Sequence, residues 1–228
     1  MLKSNPGSRA VSTTAGILFI VGLAAGIGAS AALEPILNSP DPLGMAAVGS
    51  AGLYWGAALW LLMAYALAMV PILLYPLLKE RQPRLALAYA IFRGAMETGC
   101  YVISALCWIL LARLGGELVG QGTQGEAAIR AIVDLLLRAD DLPYIAFAFP
   151  IGAACFYLAL LRARLVPRWI SVWGLVAALL SAVAGFLQLF GLADSSSLSD
   201  TLLNLPLFFQ ESVMSIWFIA KGFSVNRS

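Results

Sequence analysis

Three ionisable residues lie in stretches otherwise fit to cross a bilayer. Arg93 and Glu97 stand one helical turn apart in AIFRGAMETGCYVIS (90–104), and Glu211 lies in a second apolar run, LPLFFQESVMS (205–215). An arginine at the centre of a spanning helix costs roughly 2.5–3.5 kcal/mol on insertion scales, so such residues face a bundle interior and find partners there. One guanidinium and two carboxylates suit proton exchange or the binding of a small polar solute. If all three were ionised the group would carry one net negative charge. A low-dielectric site resists that, so one glutamate is expected to hold a proton for part of the time.

Helical steps of three and four residues extend the site. Tyr89, Arg93, Glu97, Cys100, Tyr101 and Ser104 form one polar stripe, and Glu211 shares a face with Ser215, with Ser212 beside it. At about 1.5 Å per residue, Arg93 lies roughly 13 Å beyond the boundary marked by Arg84, and Glu97 roughly 19 Å beyond it. Glu211, counted back from Lys221 on an opposed helix, falls at roughly 15 Å. The two helices are therefore expected to be neighbours, with these stripes facing each other. Gln188 and Asn204 lie nearer the other surface, where they either continue a polar path outward or simply snorkel. Two readings stand for the charges themselves: a protonatable site that couples to a solute or a conformational change, and a buried salt bridge that fixes helix register. A register pair does not need a third charge, which favours the first.

The elements that position these residues follow from composition. Of 228 residues, 61% are hydrophobic and only 11% charged, against roughly a quarter charged in ordinary soluble domains. The expected fold is all-α, a polytopic membrane helix bundle. Spans are expected at about 15–33, 45–78, 85–114, 142–161, 169–192 and 202–223, six in all, within one membrane domain over 1–228. Residues 1–14 read as a basic tail, with Pro6 and Gly7 opposing a helix. A cleaved leader ending near Ala29-Ser30-Ala31 is the rival for the first span, but the apolar run is longer than such leaders need. Pro35, Pro40 and Pro42 are expected to break the chain between spans one and two, and Pro71 and Pro76 to kink the second. Gly22/Gly26 and Gly52/Gly56 form two G-x-x-x-G patterns, read as close packing inside the bundle in preference to a dimer face.

After a glycine-rich loop over 115–125, the segment EAAIRAIVDLLLRADD changes character. Glu126, Arg130, Asp134 and Arg138 recur every four residues, with Ile129, Ile132, Val133, Leu136 and Leu137 opposite, so an amphipathic interfacial helix is expected at about 126–139. It reads as a solvated connector in preference to a lid.

Orientation follows from the basic residues. With the N-terminus cytoplasmic, that side holds Lys3, Arg9, Lys79, Arg81, Arg84, Arg162, Arg164, Arg168, Lys221 and Arg227, against Arg113, Arg130 and Arg138 on the other. Both termini are then cytoplasmic, in a cell membrane.

Several chemistries drop out. Histidine is absent, which removes Ser-His dyads, HExxH zinc sites and histidine-ligated haem. No phosphate-binding or nucleophile-elbow pattern occurs. Two carboxylates beside an arginine make a poor metal site, and no metal or cofactor is expected. Lys221 sits at a helix end, where it snorkels and cannot form a mid-membrane Schiff base. Cys100, Cys107 and Cys155 read as apolar packing. A formal charge of +2 without a clustered basic face argues against nucleic acid. The expected partners are the bilayer and a small solute or proton. An accessory role for the bundle, or an enzyme with a glutamate as acid or base, remain alternatives, though nothing supplies a nucleophile.

The chain resembles the bacterial six-span membrane proteins of domain-of-unknown-function family 4386. The likeness lies in Phe92-Arg93 with Glu97, in Pro167-Arg168-Trp169 followed by Trp173 and Gly174, and in Glu211 with Trp217, Lys221 and Gly222. It implies a bacterial cytoplasmic-membrane protein and supplies no substrate.

Overall fold

The computed structural model describes residues 6–121, 126–140, 145–193 and 197–224. Lys3, Arg227 and the start of the fourth expected span, 142–144, lie outside them. The described residues form helices and no strand: α1 (Pro6–Leu37), α2 (Pro42–Lys79), α3 (83–121), α4 (Glu126–Asp140), α5 (Ile145–Ala163), α6 (Arg168–Leu189) and α7 (Leu198–Ala220). Five of these, α1, α2, α3, α6 and α7, are long and apolar enough to cross a membrane, and α5 carries a shorter apolar stretch, Ala148–Ala163. Ile72, Val176, Leu179 and Ile216 are all more than half exposed, so the outer faces are as apolar as the core. Lipid accounts for that; water does not. The chain is a multi-pass, all-α membrane protein.

Several expected boundaries move. The first helix is described from Pro6 onward, so residues 6–14 are helix and not tail. Pro35 is absorbed near the end of α1, and the break comes at 38–41. There Asp41 caps α2, its Oδ1 accepting the Gly44 N–H at 3.2 Å, with Pro42 next in line. In α2 the non-helical residue is Gly49 (φ −122°, ψ 33°), while Pro71 and Pro76 stay inside the helix. Helix α3 runs on through Gly115 and Gly116, where a loop was expected. A Cβ at Gly115 would come within 2.8 Å of the Ala46 backbone, a contact that glycine permits inside the helix. Helix α6 stops at Leu189, where Gly191 takes a positive φ of 65° and Leu192 N–H bonds back to Leu187 O at 2.8 Å.

The chain divides into two compact units. The first holds 1–22, 65–98 and 143–228, and the second 23–64 and 99–142. In the second, Leu33, Ile36, Leu43, Leu53, Trp108, Leu111 and Val133 make the core. A Cβ at Gly26 would meet Met63 Sδ at 2.8 Å, and one at Gly52 the Ala32 carbonyl at 3.1 Å. The glycine patterns are thus occupied by α1 and α2 packing on each other. Helix α4 joins this core through Val133, whereas Ile132 and Leu135 are exposed. Its Arg130 Nη1 donates to Asp41 Oδ1 at 2.8 Å.

In the first unit, α5 packs on α3 and α6, and α6 on α7. Basic side chains close the ends of these helices. Arg9 Nη2 donates to the carbonyls of Ile219 (2.7 Å) and Ala220 (3.1 Å), the last of α7, and Ser12 Oγ donates to Phe218 O at 2.7 Å. Arg81 Nη1 donates to Ala163 O, the last carbonyl of α5, at 2.7 Å. Helix ends leave these carbonyls unpaired, and a cation there also meets the negative end of the helix dipole.

Two outcomes follow. Arg9→Ala should lower stability by about 1–2 kcal/mol through loss of charge-assisted bonds to α7, read from thermal unfolding in detergent. The Arg130 hydrogen bond, with that of Gly44 N–H, holds the Asp41 carboxyl below the ordinary value of 3.8. Its contribution is therefore complete above pH 3.8 and disappears as pH falls through the lowered value. Amide-exchange protection at the start of α2 and in α4 should hold steady down to that pH and fall only below it.

Candidate functional site

The local backbone around the charges is unusual. Residues Ala90–Glu97 of α3 form a π-helical stretch, with α-helix before and after it. Such widened turns are costly and occur often at functional positions. Arg93 and Glu97 lie inside it and both are buried.

Arg93 joins two helices. Its Nη1 lies 3.1 Å from Glu97 Oε1 and its Nη2 3.1 Å from Glu211 Oε1 on α7. The two nitrogens of the planar fork thus each address a different carboxylate, a geometry suited to guanidinium and not to ammonium. Arg93 is 4% exposed and Glu97 1%, so neither pairing is a surface contact. The Arg93 Cζ also stands over the Phe149 ring of α5, 4.7 Å from its centroid, a cation–π contact on the remaining face.

Helix α5 can come this close because position 152 is glycine. A Cβ there would lie 3.0 Å from Arg93 N and 3.3 Å from Arg93 Cβ. Tyr89, one turn before Arg93, is buried, with its ring stacked on Phe156 of α5 at 4.5 Å and 14°. Its hydroxyl has no hydrogen-bond partner within the described chain. A buried hydroxyl of this kind marks a place where a polar group can bind.

A second polar set adjoins Glu211. Gln210 is fully buried; its Oε1 accepts from Tyr157 Oη at 2.7 Å and its Nε2 donates to Ile170 O at 3.1 Å. This links α7 to α5 and α6 directly beside the carboxylate. Sequence reasoning did not single out Gln210, Tyr157, Phe149 or Gly152. The signal available for one of them was the adjacent polar pair Gln210-Glu211 in an apolar run. The other three owe their position to α5, an element without a charge to draw attention to it.

The remaining expected site residues divide. Tyr89, Arg93, Glu97 and Glu211 belong to the first unit. Ser215 Oγ bonds back to Glu211 O at 2.6 Å, spending its hydroxyl on its own helix. Gln188 Nε2 and Asn204 Nδ2 both donate to Asp200 Oδ1, at 2.7 and 2.9 Å. They hold the end of α6 to the first turns of α7, about 10 Å along the helix from Glu211. Tyr101 and Ser104 belong to the second unit, where Tyr101 packs edge-on against Trp60 at 5.3 Å and Ser104 is buried. No cluster of histidine, cysteine or carboxylate residues with metal-binding geometry occurs among the described residues.

Residues 14–222 match the family model described as "Domain of unknown function (DUF4386)". The chain belongs to this family. The matched DUF4386 span takes in Arg93, Glu97, Gln210 and Glu211 together. No curated protein and no solved structure matches the chain.

The Tyr157–Gln210 bond lends itself to measurement. Tyr157→Phe removes the donor and leaves a buried amide oxygen unsatisfied, which should cost about 1–3 kcal/mol in thermal unfolding. Tyr157→Phe with Gln210→Leu, which also gives up the bond to Ile170 O, should cost less than the two single variants summed, because their shared bond is lost only once.

Proposed function

We propose that Arg93, Glu97 and Glu211 form a protonatable site inside the membrane through which this protein binds a proton or a small polar solute, in a transporting or sensing role. The observation that carries the reading is the sharing of one buried guanidinium between carboxylates of two helices, each at 3.1 Å. Two carboxylates and one arginine carry a net negative charge that a lipid-buried site does not hold cheaply, so the cluster exchanges a proton as a coupled unit. The titratable and charged side chains facing Glu211 are Arg93, Glu97 and Tyr89 from α3 and Tyr157 from α5. The partnerless Tyr89 hydroxyl supplies a further donor or acceptor for a bound solute.

The same reading places the chain as one six-span domain of a bacterial cell membrane. The shorter apolar helix α5 supplies the sixth crossing, α4 rests at the outer interface and both termini are cytoplasmic. Support comes from the excess of Lys and Arg on one side.

A second reading, in which the charges only pin helix register, draws on the tight fit of Gly152 against the Arg93 backbone and on the Phe149 ring over the guanidinium. Proton uptake distinguishes the two. Protein in detergent, stepped between about pH 8 and about pH 5 with an indicator dye, should take up one proton more than either Glu97→Gln or Glu211→Gln. Equal uptake by wild type and both variants would defeat the protonatable site and leave the register reading. Arg93→Met should be worse than either glutamine variant, by about 3–5 kcal/mol of stability, since it abandons two carboxylates in the interior.

A further inference from the structure

One end of the first unit gathers cations that the fold does not use. Arg162 and Arg164 end α5, Arg168 begins α6 and Lys221 ends α7. Two contacts bring these termini together. Ser224 N–H donates to Leu165 O at 2.8 Å, which places the residues after Lys221 beside the turn between Arg164 and Arg168. Arg81 Nη1 donates to Ala163 O, which adds the α2–α3 turn with Arg84 to the same end. Arg84, Arg162, Arg164, Arg168 and Lys221 are exposed, and none forms a salt bridge among the described residues. The α2–α3 turn contributes a single acid, Glu80.

Beside these cations stand three tryptophans from two helices. Trp169 stacks on Trp173, one turn further along α6, with ring centroids 6.3 Å apart, and meets Trp217 of α7 edge-on at 6.4 Å. Trp169 is 51% exposed. Lys221 follows Trp217 by four residues and so leaves α7 on the same side. Indole rings favour the level where acyl chains meet headgroups, with the ring against hydrocarbon and the N–H toward polar groups. Cations held at that level face lipid phosphates, and guanidinium matches a phosphodiester with two parallel donors.

We infer that this end of the protein is a binding surface for anionic phospholipid headgroups, with Arg168 and Lys221 as the charges and Trp169, Trp173 and Trp217 as the aromatic floor. The ligand class is a phosphodiester monoanion carried on a diacyl lipid, such as phosphatidylglycerol. Zwitterionic headgroups offer the same phosphate with its charge cancelled by an ammonium, and bind less well. The surface is independent of the buried charge cluster and of its proposed function.

The test is native mass spectrometry of the full chain released from mixed micelles holding phosphatidylglycerol and phosphatidylcholine in equal amounts. Wild type should retain phosphatidylglycerol in preference. Arg168→Gln with Lys221→Gln should lower the ratio by up to about 25-fold, at roughly five-fold per charge removed near an anionic surface. Arg113→Gln, an exposed arginine outside this end, should leave the ratio as it is. Equal retention of the two lipids by wild type, or an unchanged ratio in the double variant, would overturn the proposal. Should the double variant fail to fold, the wild-type melting temperature decides: a rise with phosphatidylglycerol but not phosphatidylcholine supports the surface, and equal rises refute it.

Discussion

A guanidinium removed from water must be answered on every side, and the first unit is arranged to do so for Arg93. Glu97 answers from the same helix, Glu211 from α7, and the Phe149 ring from α5. Each requirement constrains an element. A β-carbon at position 152 would hold α5 away from the α3 backbone, and a straight α-helical ladder would not give the widened turn over 90–97 in which Arg93 and Glu97 lie. Gln210 extends the constraint by tying α7 to Tyr157 and to the Ile170 carbonyl. Four helices, α3, α5, α6 and α7, are thus referred to one polar layer, and their apolar faces are left for lipid.

Around this layer the helix ends are closed by side chains distant in sequence. Arg9 takes the last carbonyls of α7, and Arg81 takes the last of α5. A basic residue near a membrane boundary usually counts only toward topology. Here two of them also satisfy backbone groups that would otherwise face the headgroup region unpaired. Arg84, Arg162, Arg164, Arg168 and Lys221, the neighbouring cations with no salt bridge among the described residues, are exposed.

Much of this was legible beforehand, for physical reasons. Charge is so costly in hydrocarbon that Arg93, Glu97 and Glu211 stand out of their surroundings, and the fixed rise of a helix sets their heights well enough to pair them. The 3.1 Å contact between Arg93 and Glu211 agrees with that pairing. Helix ends were read less well because proline and glycine were taken as breakers. Pro42 instead begins a helix, Pro6 and Pro35 lie in one, and Gly115 stays helical against the Ala46 backbone. In each case local preference yields to position within the turn or to tertiary packing. For Gln188 and Asn204 the sequence leaves a path outward and simple snorkelling both open; that Asp200 takes a hydrogen bond from each is a three-body contact that no periodicity reveals.

The order of the charges along the chain has a consequence for biosynthesis. Ribosomes deliver Arg93 more than a hundred residues before Glu211, so the arginine enters the bilayer while Glu211 is still unmade. The carboxylate four residues downstream accompanies it on the same helix and lowers the cost of that early step. Glu211 follows later, and its docking onto a cation already embedded offers the nascent protein an electrostatic signal that α7 has found its place.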